Sequence, residues 1–112
     1  MRLSEDEVVP IVVDLSAAKQ GKLDESFLRM FGGAIKMILR RMFEQVEHLP
    51  ITIKGTESDV SAFADVLGKE KKYLEAYADL GLNNPATYKS KYKLDNAVER
   101  FEGKTGITWP FK

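Results

Sequence analysis

One histidine, His48, and no cysteine restrict the reactive side chains of this chain to carboxylates, amines and hydroxyls. Thiolate nucleophiles, disulfides, iron–sulfur clusters and thiolate zinc sites are excluded outright. His48 follows a long apolar run, where an imidazole interacts with the last carbonyls of a helix. A single histidine beside no nucleophile pattern is a poor acid–base catalyst. Glu57 and Asp59, like Glu5, Asp6 and Glu7, stand where carboxylates favour a helix N-terminus. The sequence contains no H-x-x-E pattern, P-loop or G-x-G-x-x-G. The expectation is a protein that is not an enzyme, with no catalytic residue, no metal and no cofactor.

The cations offer a different chemistry. The stretch YADLGLNNPATYKSKYKL reads as helix, turn glycine (Gly81) and second helix, the second carrying Lys89, Lys91 and Lys93, with Arg100 further along. Tyr88 and Tyr92 alternate with the lysines, which suits phosphate contacts and base stacking. Three features oppose a helix-turn-helix. Tyr77 occupies the place where the two helices need a small residue. Thr87 and Ser90 stand where apolar anchors are needed. Asp65, Glu70, Glu75 and Asp79 on the preceding helix can neutralise the lysines within the hairpin. A solvated face on an antiparallel helix pair is the competing reading. Met30, Met37, Met42 and the tyrosines would also fit a small-molecule pocket between helices, although methionine at helical spacing usually fills core gaps.

These residues need a scaffold, and 112 residues provide one domain, 1–112. Hydrophobic residues make up 44% and charged residues 30%, the balance of a chain able to bury a core. Lys plus Arg equals Asp plus Glu at 17 each, so any attraction to polyanions must come from a local patch. The opening MRLSEDEVVP lacks the basic start and unbroken apolar run of a secretory signal, and a cytoplasmic location is expected.

The spacing predicts a helix over Ser4 to Gln20, with a Ser4–Glu7 capping box and Gly21 as its cap. Pro10 and the β-branched run VVPIVV favour the alternative, a strand over residues 8–13. The second element, FLRMFGGAIKMILRRMF, lies in a helix predicted from Asp24 to about Val46. Its polar face is narrow: Arg29, Gly33, Lys36, Arg40, Glu44 and Glu47. Cations at 29, 36, 40 and 41 argue against a membrane span. So broad an apolar surface predicts a central helix enclosed on most sides. Gly32, beside Leu28, Ile35 and Leu39, would allow close approach of another helix, and these four residues form the expected self-association face.

LPITIKGT alternates as a strand, and the terminal GITWPF offers it an antiparallel partner. Two further helices follow, one from Thr56 to Gly81 and one from Asn84 and Pro85 to about Glu102. The whole reads as mainly α: about four helices around a long central one, with a two-stranded antiparallel element pairing residues 49–54 with 107–109.

In FLRMFGGAIKMILRRMF and LDNAVERFEGKTGITWPFK the chain resembles small uncharacterised proteins encoded by marine bacteriophages. The resemblance implies a virion component, assembly factor, packaging subunit or host-directed adaptor, found in the host cytoplasm or the virion. The leading expectation is a non-enzymatic, self-associating interaction protein. The alternative is a nucleic-acid-binding regulator or packaging subunit using Lys89, Lys91, Lys93 and Arg100.

Overall fold

A computed structural model describes residues 10–21, 23–44 and 50–111. Among them it is mainly helical, with a small two-stranded sheet. Strand β1 spans Ile11–Asp14 and runs into a 3-10 helix over Leu15–Gln20. Helix α1 covers Glu25–Phe43 and strand β2 Ile51–Lys54. Helices α2, Glu57–Leu80, and α3, Pro85–Thr105, complete the order.

The sheet is parallel, with Ile11 opposite Ile51 and Asp14 opposite Lys54. This corrects two expectations. Residues 11–14 are strand rather than helix: Ile11 and Val13 are buried while Val12 is exposed, the period-two pattern that β-branched residues favour. Pro10 donates no backbone hydrogen bond, and the Ile11 amide bonds the Pro50 carbonyl at 2.8 Å. The proposed Ser4–Glu7 capping box and His48 lie outside the described residues. Gly21 does cap, at φ 71°, but it ends the 3-10 helix.

Among the described residues, which leave out Leu49, residues 107–109 do not pair with 50–54. Their backbone donors are taken locally by α3: Ile107 N–H bonds Thr105 Oγ1 at 3.1 Å and Trp109 N–H bonds Glu102 Oε2 at 2.8 Å. The segment enters the core as a plug. Trp109 is 1% exposed, its ring edge-on to Phe31, Phe63 and Phe101. The indole N–H donates to Glu70 Oε1 at 2.9 Å. Glu70 is itself only 3% exposed.

Asp24 caps α1 as expected, accepting from Phe27 N–H at 2.7 Å, and the helix passes through Gly32–Gly33 unbroken. It is not enclosed on most of its circumference. Phe31, Gly32, Ile35, Ile38, Leu39 and Arg41 are buried, whereas Met30 is 73% exposed and Met37 and Phe43 also face solvent. Thr56 caps α2 through Asp59 N–H, and Asp59 is buried beside the Lys19 ammonium 2.8 Å away, tying the 3-10 helix to α2. That Lys19 contact holds the Asp59 carboxyl below the usual range, against the opposing effect of burial. Gly81 ends α2 with φ 80° and ψ 173°, a positive-φ conformation outside the left-handed helical region, and Leu82 stays exposed instead of folding back. Asn84 and Pro85 start α3 as expected, but it continues past Gly103 to a left-handed Gly106.

Three consequences can be measured. A Cβ at Gly33 meets nothing within 4 Å, so Gly33→Ala should gain about 0.5–1 kcal/mol in urea unfolding from helix propensity. At Gly32 a Cβ would lie 3.5 Å from Pro110, so alanine fits but Gly32→Leu should destabilise. Burial raises the Glu70 carboxyl above its ordinary range, although the indole and the Lys91 charge pull it down. Such a group costs stability once ionised: the penalty is absent below the unfolded value of about 4.3 and grows as pH rises through the raised one. Glu70→Gln, which keeps an acceptor for the indole, should therefore gain on wild type as pH increases from about 4. A gap constant with pH would contradict the assignment.

Candidate nucleic-acid interface

The expected polyanion-binding residues sit on the α2–α3 hairpin. The helices run antiparallel, because contacts step backwards along α2 as α3 advances. Thr87 Oγ1 donates to the Ala76 carbonyl at 3.3 Å, Arg100 to Asp65 Oδ2 at 2.9 Å, and Lys104 Nζ to Ser58 Oγ at 2.8 Å. Thr87, lacking the apolar character of an anchor, is nevertheless 1% exposed, because its hydroxyl is satisfied by that carbonyl. The antiparallel pairing also differs from the crossed helices of a helix-turn-helix.

Two depressions follow the seam between the helices. One is lined by Ser58, Ser61, Ala62, Asp65, Arg100 and Lys104, the other by Lys69, Lys72, Ala86, Lys89, Ser90 and Lys93. On both helices the residues are spaced to share one face, so the depressions continue one another as a groove. From Ser58 to Lys72 it extends about 21 Å at 1.5 Å per residue. Its lining carries six cations, Lys69, Lys72, Lys89, Lys93, Arg100 and Lys104, against one carboxylate, Asp65. Asp65 bridges two of them, Lys69 Nζ at 3.0 Å and Arg100 at 2.9 Å. The Arg100 guanidinium, followed by the Lys69 ammonium, holds the Asp65 carboxyl below the usual carboxylate range. Lys72, Lys89 and Lys93 have no ion pair among the described residues.

The structure thus separates the cations that the sequence grouped. Lys89, Lys93 and Arg100 line the groove. Lys91 points to the opposite side of α3, where it pairs with Asp95 and lies over the Tyr73 ring in a depression shared with Glu99 and Glu102. Lys69, Lys72 and Lys104 belong to the groove and were not singled out by sequence. Lys69 and Lys72 were masked by the acids around them, yet those acids are dispersed: Glu70 is buried under Trp109, and Glu75 pairs with Lys71 on another face. The readable signal was the three- and four-residue spacing of lysines on both helices.

The expected self-association residues are placed differently. Gly32 faces Pro110 of its own chain, Ile35 and Leu39 are buried in the core, and Leu28 is packed against it. The close approach anticipated at Gly32 is therefore made within the subunit. An apolar cleft lies instead between β1 and α1, lined by Val12, Val13, Phe27, Met30, Phe31 and Ala34, with Asp14 at its edge. Among the described residues no three side chains of metal-ligating type converge, and no helix is long and apolar enough to cross a membrane.

No family model, curated protein or solved structure matches this chain.

Proposed function

We propose that this protein is a non-enzymatic nucleic-acid-binding module that grips the phosphate backbone along the α2–α3 groove. The supporting observation is the segregation of charge. A chain of zero net charge concentrates six cations and one carboxylate in a single groove, four of those cations, Lys72, Lys89, Lys93 and Lys104, without an ion pair among the described residues. Such a concave, predominantly cationic surface focuses the field and attracts polyanions, with affinity coming from counterion release. In the phage setting that the sequence resemblance implies, a packaging subunit or regulator is the corresponding role.

Anisotropy of a labelled oligonucleotide at increasing salt tests this. Neutralising about four phosphates gives a slope of log K against log salt of about −3 to −4. Lys89→Gln with Lys93→Gln should weaken binding and flatten that slope, whereas Lys91→Gln should do little. Asp65→Asn should strengthen binding, because it frees Lys69 and Arg100 for the ligand. Binding absent at low salt, or indifferent to the groove lysines, would overturn the reading.

A second reading, self-association, is favoured by the cleft between β1 and α1, where Val12 is 56% exposed and Met30 more so. Light scattering should show a dimer or larger species that Met30→Glu dissociates; a monomer at every concentration would end this reading.

A further inference from the structure

Tyr88 and Tyr92 narrow the class of nucleic acid, given the groove reading above. Each immediately precedes a groove lysine, Lys89 or Lys93, on α3. Their side chains are 61% and 69% exposed, and neither has a hydrogen-bond or ring partner among the described residues. At about 100° per residue, Tyr92 lies about 60° around the helix from Lys89, so the rings flank the groove's outer rim. Two large aromatic side chains left in water beside a row of unpaired ammonium groups form a stacking platform next to a backbone track.

The spacing discriminates between ligands. Tyr88 and Tyr92 are four residues apart, about 6 Å along the axis at 1.5 Å per residue. Bases of a duplex are stacked about 3.4 Å apart on each strand, with their faces covered by neighbours. Rings 6 Å apart can meet only bases separated from one another. A duplex laid along the outer face of α3 would also bring its phosphates towards Asp95 and Glu99, both exposed there. We propose that the ligand is single-stranded nucleic acid, its phosphates following Lys69, Lys72, Lys89 and Lys93 and two of its bases stacked on Tyr88 and Tyr92.

The test compares a labelled thymidine oligomer, its uridine counterpart and a duplex of equal length against the full chain. Both single strands should bind more tightly than the duplex. Tyr88→Ala and Tyr92→Ala should each weaken single-strand binding about 5- to 100-fold while leaving the salt slope unchanged, the signature of lost stacking rather than lost charge. Tyr92→Phe should retain affinity. Both tyrosines are exposed, and circular dichroism of the variants checks that they fold. Equal affinity for duplex and single strand, or alanine variants that bind like wild type, overturns the single-strand assignment while the groove reading stands. Heparin bound as tightly as the oligomers, with no effect of the tyrosines on any ligand, overturns it as well. Failure of every polyanion to bind overturns the groove reading itself.

Discussion

The fold is organised around Trp109, which is held at two points by carboxylates from two helices. Its backbone N–H is fixed by Glu102 of α3 and its indole N–H by Glu70 of α2. Between those anchors the ring closes a cluster with Phe31, Phe63 and Phe101, one residue from each helix. Buried polar groups are tolerable only when satisfied, and here one donor–acceptor pair satisfies both an indole and a carboxylate. The next residue, Pro110, lies on Gly32 and completes the contact with α1. The three helices are thus joined through a segment with no regular structure.

The local punctuation of the helices could be read from sequence, because capping is local chemistry. Asp24, Thr56, Asn84 and Pro85 each satisfy or omit an amide within three residues of themselves. The strand partner could not be read this way. The periodicity favours a helix across VVPIVV, with ITW as the partner of ITI, but the outcome depends on which amides remain unsatisfied. Those of residues 107 and 109 are claimed by Thr105 and Glu102, so β2 pairs with β1. Likewise the apolar surface of α1 suggested enclosure, but composition around a helix does not specify how many neighbours are available. Met30 and Met37 remain outside.

The candidate site was legible in part for a related reason. Lysines on one helix share a face by periodicity, so Lys89 and Lys93 could be grouped, and Lys91 could have been set apart from them. The contribution of α2 depends on how two helices rotate against each other, which is fixed by Phe63, Val66, Leu94, Ala97 and Phe101 in the core. Only after that rotation do Lys69 and Lys72 meet Lys89 and Lys93 across the seam. Glu70, counted from sequence among the neutralising acids, is removed from the surface by the same rotation.

The parallel register of the sheet carries a kinetic implication. Ile11 and Ile51 are forty residues apart in the chain, and closing a loop of that length costs about 3 kcal/mol of chain entropy before any ladder bond repays it. The α2–α3 pair, joined by a short turn, closes at far smaller cost. Topology therefore places the strand pair late and the hairpin early. The half of the molecule that carries the cationic groove is the half able to gain structure first, and the β1–α1–β2 unit condenses onto it.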